Sequence, residues 1–145
     1  MRISDVLRAK GDTVVTVTPE TDVAALLTVL AEHAIGAVVV SRDGTTVAGI
    51  VSERDVVRAL AGRGSTVLAE PVTTIATTEV QTVRPETSLE EVERLMTEQR
   101  FRHAPVVVDG VLRGIVSMRD VVQNRIDELE AERATLTGYI TGERT

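Results

Sequence analysis

The sequence predicts an α+β fold in which two β-α-β-β-α repeats pack sheet to sheet about a pseudo-twofold axis, with a C-terminal helix added. Two duplicated blocks predict the repeats: TVTPET at residues 16–21 returns as TVRPET at 82–87, and GIVSERDVV at 49–57 returns as GIVSMRDVV at 114–122. The blocks keep their order and are offset by 66 and 65 residues. One unit of about 60 residues leaves a sheet face that it cannot cover alone, so the two copies are expected to pack against each other.

Each copy contains the same series of predicted elements. In the first copy a helix is predicted to open at Thr18 or at Thr21, because the apolar positions that follow keep the spacing of one buried face. The matching helix of the second copy is predicted to be capped by Ser88. β-Branched runs at 37–40 and 105–108, each followed by Asp-Gly and a second apolar run, predict a hairpin. A Ser-x-x-Asp sequence then begins the last helix of each copy.

Composition argues against several classes of function. The net charge of −6 and the pI near 5.0 oppose binding along a nucleic-acid backbone, and 1% aromatic residues leave no stacking platform for single strands. With no cysteine and two histidines, disulfides and zinc sites are excluded, whereas carboxylate-bound magnesium stays open. No apolar run approaches the roughly 18 residues of a membrane span, and the N-terminus shows no signal core, so we expect a cytoplasmic protein.

The sequence divides into repeat one at residues 1–64, repeat two at 65–125, and a C-terminal helix and tail at 126–145. From Val121 onward, the spacing of apolar residues predicts one helix of about 20 residues. Such a helix is marginal alone, so it must pack on its own domain or on a partner subunit, and we favour a homodimer. The residues of this apolar seam are Val122, Ile126, Leu129, Leu136 and Ile140.

The Ser-x-x-Asp sequence at the start of each last helix has two interpretations. Ser52 with Asp55, and Ser117 with Asp120, form the pattern of a capping box, which is a structural role. The same junctions leave backbone N–H groups and the positive end of a helix dipole pointing at solvent, which favours an anion. An aspartate at this position can also accept both hydroxyls of a ribose. The structural role and the binding role are compatible.

Arginines lie beside these junctions. Arg54 and Arg119 precede the two aspartates by one residue, where a cation is unfavourable for the helix dipole, so they serve either a ligand or a nearby acid. Arg102 and His103 cluster with Arg100 just before a buried strand, and this cluster needs either acids or an anion. A phosphate group fits the cluster.

The duplicated motifs resemble those of the CBS domain family, named after the regulatory region of cystathionine beta-synthase. The resemblance covers residues 1–125 and is carried by Gly-Ile-Val-Ser-x-Arg-Asp in both copies and by Arg-His-Ala-Pro-Val-Val at 102–107. It implies a tandem pair that senses AMP, ADP, ATP, S-adenosylmethionine or, in some members, NAD, without catalysis, and that dimerises into a flat disc. It also implies that Asp55 and Asp120 hold ribose hydroxyls.

The two copies differ at the entry to their second strand. Copy two has Arg102, His103 and Pro105 where copy one has Gly36, Ala37 and Val39. The two sites are therefore expected to differ, and an empty site in one copy stays open. The resemblance further implies that the serines of the motif contact phosphate or ribose. The complete set of expected ligand contacts is Thr16, Gly36, Ala37, Val39, Ser52, Arg54, Asp55, Thr82, Arg102, His103, Pro105, Ser117, Arg119 and Asp120.

The sequence thus predicts a regulatory module that requires no cofactor. It is expected to bind an adenine nucleotide as a regulatory ligand between the repeats and to signal to an unidentified protein by a population shift, without nucleic acid or a membrane. A ligand-free scaffold that keeps the disc is the main alternative. An enzyme is disfavoured because the sequence has no Gly-x-Ser-x-Gly elbow, no P-loop and no paired histidines. No catalytic or metal-binding residue is assigned.

Overall fold

The two copies fold into two similar halves, each built from strands and the helices that cover them. The structure, a computed structural model, describes residues 1–11 and 13–141, so residues 142–145 of the expected tail lie outside the described residues. The elements in chain order are α1 (Ile3–Lys10), β1 (Thr16–Val17), α2 (Val23–His33), β2 (Ala37–Val40), β3 (Gly49–Ser52), α3 (Glu53–Arg63), α4 (Leu89–Gln99), β4 (His103–Val108), β5 (Val111–Ser117) and α5 (Met118–Thr141). Two short 3-10 segments, Gly64–Ala69 and Val72–Thr74, connect the halves.

The first half contains a three-stranded sheet in the order β1-β2-β3, with β1 parallel and β3 antiparallel to β2. The second half has the antiparallel pair β4-β5, and its expected first strand is reduced to one parallel bridge between Val83 and Val106. This bridge is the repeat equivalent of the pairing between Val17 and Val40. In both copies a proline follows two residues later and has no N–H with which to extend the pairing. The predicted β-α-β-β-α order is confirmed, with a minimal first strand.

The helix α2 begins later than the sequence predicts. Thr18 and Thr21 share a hydrogen bond of 2.9 Å between their hydroxyls and do not open the helix. Asp22 is the N-cap instead, and its Oδ1 accepts a hydrogen bond of 2.7 Å from the backbone N–H of Ala25. In the second copy Ser88 caps α4 as predicted, with its hydroxyl accepting from a backbone N–H at 3.2 Å.

The burial of the strands shows how the two sheets meet. Side chains alternate between the faces of a strand, and Val38 and Val40 of β2 join the apolar core of the first half. Ala37 and Val39 point to the opposite face and are buried as well. Pro105 of β4, the repeat equivalent of Val39, is also buried. The inner faces of the two sheets therefore pack against each other, as expected.

The segment that precedes each copy in the sequence packs into the core of the other half. Ile3 and Val6 of α1 are buried in the core of the second half. Conversely, Val67 and Val72, which precede the second copy, are buried in the core of the first half. We call α1 and residues 64–77 the exchanged segments. The repeat pattern does not predict this exchange, because it relates the copies by sequence and not by contact.

The glycine of each Gly-Ile-Val-Ser motif lies where an exchanged segment passes a strand. A Cβ on Gly49 would lie 2.9 Å from the backbone oxygen of Thr77, which pairs with β3 through Ile50. A Cβ on Gly114 would lie 2.7 Å from Cδ2 of Leu7 in α1. Both distances are shorter than normal packing contacts, but only the backbone oxygen at Gly49 cannot move aside, so the requirement for glycine is stricter at Gly49 than at Gly114.

The helix α5 unites two elements that the sequence treats as separate. It runs for 24 residues from Met118, so the last helix of the second copy and the C-terminal helix are one. Arg125 of α5 pairs with Glu128 of the same helix and with Glu93 of α4, the latter at 3.1 Å. All five residues of the apolar seam are at least 45% exposed. The seam is therefore not covered by this chain.

Candidate functional site

Two clefts lie between the halves. Cleft one has a volume of about 300 Å³, lies beside residues 52–55 where β3 meets α3, and is closed by residues 79–81 and 100–103. Cleft two has a volume of about 410 Å³ and lies beside residues 117–119 where β5 meets α5, with Lys10 of α1 in its lining. Both volumes fall in the range of small-molecule sites, roughly 300–1,000 Å³.

The two clefts are related by the repeat and share one wall. Ser52 in cleft one corresponds to Ser117 in cleft two. The residues that line both clefts are Gly36, Ala37, Glu53, Arg102 and His103. We call these five residues the shared wall. Arg102 and His103 are thus available to both clefts, whereas the sequence assigns them to the second copy alone.

The Ser-x-x-Asp junctions form the hydrogen bonds of a capping box in both copies. Oδ2 of Asp55 accepts from the backbone N–H of Ser52 at 2.8 Å, and the N–H of Asp55 donates to Oγ of Ser52 at 3.3 Å. Asp120 and Ser117 make the same two bonds at 2.9 and 3.1 Å. No hydrogen bond formed by residues 1–11 and 13–141 uses Oδ1 of either aspartate. Capping therefore leaves one carboxylate oxygen at each junction available to a ligand.

The helix N-termini offer fewer open N–H groups than the sequence indicates. The N–H of Glu53, the first residue of α3, donates to the carbonyl oxygen of Gly36 at 2.9 Å. The N–H of Met118, the first residue of α5, donates to the carbonyl oxygen of Arg102 at 2.7 Å. Since the serine cap uses the third amide of each helix, an anion at either junction depends on side chains more than on the helix backbone.

Arginine side chains line both clefts. Arg54, Arg58, Arg100 and Arg102 line cleft one, and Arg102 and Arg119 line cleft two. Guanidinium groups bind phosphate through charge-assisted hydrogen bonds that are often bidentate. Arg58 is not among the predicted contacts, although its spacing of four residues from Arg54 puts both side chains on one face of α3.

Lys10 is a residue of cleft two that the sequence reasoning missed. Its Nζ lies 2.7 Å from Oδ2 of Asp120 and donates a second hydrogen bond to the carbonyl oxygen of Ile115 at 3.0 Å. The two charged residues meet because α1 packs on the second half. They are 110 residues apart in the chain, so no local sequence pattern joins them.

Two titratable groups beside cleft two have shifted pKa values. Burial raises the pKa of Asp120, but hydrogen bonds from Lys10 and from Ser117 outweigh burial and hold the pKa below the ordinary value of 3.8. The stability that this pair contributes is therefore present above pH 3.8 and is lost as the pH falls through the lowered pKa. Burial lowers the pKa of His103 below 6.5, the charge of Lys10 adds to this effect, and Asp120 and Glu53 oppose it. His103 is therefore neutral at pH 7.

Five of the expected ligand contacts lie outside the lining of both clefts. Thr16 pairs with Val39 in the sheet, and Val39 and Pro105 are buried between the sheets. Thr82 is exposed next to the bridge residue Val83. Asp120 is the fifth and borders cleft two through its ion pair with Lys10. The other nine expected contacts line a cleft, and they are Gly36, Ala37, Ser52, Arg54, Asp55, Arg102, His103, Ser117 and Arg119. Their contact with a ligand stays a prediction.

Two further features concern metals and membranes. Within residues 1–11 and 13–141, no group of three or more histidine, aspartate or glutamate side chains is placed to hold a metal ion. In the same part of the chain, no helix is both long enough and apolar enough to cross a membrane.

Fold and clefts together define a duplicated module with a pair of related pockets between its halves. The CBS domain family matches residues 3–62 and again residues 72–127. The chain belongs to the CBS domain family and contains two of its repeats.

Relatives and solved structures agree with this membership. The chain is 35% identical over 148 residues to the mitochondrial CBS domain-containing protein CBSX3 of Arabidopsis thaliana, covering 97% of this chain and 72% of that protein. A CBS-domain containing protein of Agrobacterium tumefaciens has a similar structure, with 40% identity and a TM-score of 0.83 over 86% of this chain and 99% of that one. A CBS domain protein of Pyrobaculum aerophilum, solved in complex with AMP, has 30% identity and a TM-score of 0.73 over 83% and 89% of the two chains.

Proposed function

We propose that the protein is a non-catalytic regulatory module that binds an adenosine-containing nucleotide between its repeats and signals to a partner protein. AMP, ADP and ATP are the first candidates, followed by S-adenosylmethionine and NAD. The observation that carries the proposal is the placement of the Asp55 carboxylate and four arginines around cleft one. The carboxylate can accept ribose hydroxyls while a guanidinium group binds phosphate. The AMP complex of the Pyrobaculum aerophilum protein supports the choice of an adenine nucleotide.

The proposed signalling depends on cleft one being lined by residues of both halves. Asp55 belongs to the first half and Arg102 to the second, and both line cleft one. A ligand that contacts both residues favours the arrangement of the halves that fits it best, which is a population shift. The partner protein then meets a different surface in the bound and free states.

Calorimetric titration with AMP tests the proposal. AMP at about 100 times Kd is expected to increase the free energy of unfolding by roughly 2.7 kcal/mol and to raise Tm by several degrees. Arg102→Ala is expected to lower AMP affinity about tenfold to a hundredfold, because it removes charge-assisted hydrogen bonds worth about 1.5–3 kcal/mol. Arg42→Ala is the matched control, since Arg42 is 72% exposed on the β2–β3 loop and lines neither cleft.

A ligand-free scaffold is the second candidate function. Two observations favour it: Lys10 already holds the Asp120 carboxylate, and the first amide of each junction helix is used within the chain. If AMP, ADP, ATP, S-adenosylmethionine and NAD all give neither heat nor a change in Tm, the nucleotide proposal fails and the scaffold is favoured.

We also propose a homodimer that forms through the last helices of the two repeats and the apolar seam. Val57 of α3 and Val122 of α5 are repeat equivalents and are 64% and 48% exposed. Ile126 and Leu129 extend this apolar surface along α5. Exposed apolar side chains at matching positions of two related halves form a face that a second copy can cover symmetrically.

Charged substitutions in the seam are expected to dissociate the dimer. The double variant Ile126→Glu with Leu129→Glu removes two apolar side chains, each worth about 1.5–3 kcal/mol when buried, and places like charges at the interface. Light scattering should then report the 15.6 kDa chain mass in place of twice that mass. Thr135→Glu is the control, because Thr135 is exposed on the opposite side of α5, and this variant should leave the dimer intact. A parent protein that is monomeric at micromolar concentration contradicts this assembly.

The proposed role includes no catalysis and a cytoplasmic location. The missing nucleophile and phosphate-loop motifs support the first statement. The Arabidopsis relative is named as mitochondrial, so cell fractionation is the direct test of the second.

A further inference from the structure

The contacts of the two motif aspartates differ between the clefts. Asp120 forms an ion pair with Lys10 at 2.7 Å, and the two side chains are 24% and 39% exposed. Among residues 1–11 and 13–141, Asp55 has no ion-pair partner within 4.0 Å. At the repeat position that corresponds to Lys10, 66 residues further on, the chain has Ala76. The asymmetry therefore comes from one side chain of an exchanged segment.

The ion pair changes what cleft two offers to a ligand. The negative charge of Asp120 is balanced by an ammonium group at hydrogen-bond distance, so its carboxylate is a weaker acceptor for uncharged hydroxyls than that of Asp55. At the same time Lys10 and Arg119 add positive charge to the lining of cleft two. A phosphate group can pair with this charge, whereas a neutral nucleoside cannot.

We infer that Lys10 makes cleft two selective for phosphorylated nucleosides over unphosphorylated ones. The inference rests on the proposed function, because it assigns a ligand class to one of the two proposed nucleotide sites. A nucleotide that enters cleft two supplies an anion to Lys10 while its ribose competes for Asp120. Adenosine must share the Asp120 carboxylate with Lys10 and supplies no anion in return. Cleft one also has arginines for a phosphate group, but it lacks such an ion pair, so its preference for AMP does not depend on Lys10.

Site-resolved NMR titration with AMP and with adenosine tests the inference. Backbone amide shifts of Arg119 and Asp120 report binding in cleft two, and those of Arg54 and Asp55 report binding in cleft one. Lys10→Met keeps the length of the side chain and removes its charge. We expect this variant to lower the preference of cleft two for AMP over adenosine by about tenfold and to leave cleft one unchanged. Arg8→Met is the matched control, since Arg8 is on the same helix, 76% exposed, and pairs with Asp5.

The outcomes separate the inference from the proposed function. If both compounds bind and the preference of cleft two is the same in Lys10→Met as in the parent, the inference alone is overturned. AMP binding that is confined to cleft one in the parent also overturns it. If neither compound shifts any amide, the nucleotide function fails and the inference fails with it. Lys10→Gln repeats the test with a second neutral side chain, and unchanged amide shifts in cleft one show that each variant is folded.

Discussion

Ile3→Ala is expected to lower the free energy of unfolding by about 2–5 kcal/mol, because it empties a fully buried position. The effect should be largest in the second half, since Ile3 packs in the core that contains Val106 and Val116. Native-state hydrogen exchange is therefore expected to accelerate more at these two valines than at Val38 and Val51 of the first half. Thermal denaturation gives the overall loss.

Arg8→Ala is the control for this prediction. Arg8 is on the same helix as Ile3 but is 76% exposed, so its replacement should change stability by no more than about 0.5 kcal/mol. If Ile3→Ala behaves like Arg8→Ala, or if exchange accelerates chiefly in the first half, the exchanged position of α1 is contradicted.

Gly49→Ala is expected to destabilise the protein by about 1–3 kcal/mol. The new Cβ would lie 2.9 Å from the backbone oxygen of Thr77, and a backbone atom held in a strand bridge cannot rotate away. Since Thr77 also lines cleft one, the variant should bind AMP more weakly in that cleft. Chemical denaturation and calorimetry measure the two effects.

Two other glycines provide matched comparisons. A Cβ on Gly62 in α3 would meet nothing within 4 Å, so Gly62→Ala should stabilise the helix by about 0.5–1 kcal/mol. Gly114→Ala brings its Cβ against the end of the Leu7 side chain, which can move, so its cost should be smaller than that of Gly49→Ala. If Gly49→Ala and Gly62→Ala are equally stable, the close approach of the Thr77 backbone to β3 does not require glycine at position 49.

The sequence predicts the fold well where it contains duplicated blocks or continuous β-branched runs. The offsets of the two duplicated blocks predict the two halves, and the β-branched runs predict β2 within its observed bounds, Ala37–Val40. The start of α2 differs from the sequence prediction because Thr21 and Asp22 are adjacent capping residues, and only the aspartate oxygen accepts from the N–H of Ala25. Local propensity does not separate two such neighbours.

The candidate site is predictable only where its residues share a motif. Ser52, Asp55 and Arg54 are adjacent in sequence, and the structure places all three on cleft one. The presence of Lys10 in cleft two depends on how the two halves pack. The same is true of the position of Arg102 in the shared wall. No repeat or residue spacing in the sequence predicts either placement. The exchanged segments thus account for most of what the sequence reasoning missed.

The packing of α1 in the second half also determines when each hydrophobic core can form during synthesis. Ile3 and Val6 are made roughly 100 residues before Val106 and Val116 of the same core, an interval on the order of 5–20 s. An eight-residue helix is too short to be stable in water during this interval. The first half can close once residue 77 has emerged, while α1 remains an amphipathic segment whose apolar face, with Ile3 and Val6, a chaperone can hold until the second half is synthesised.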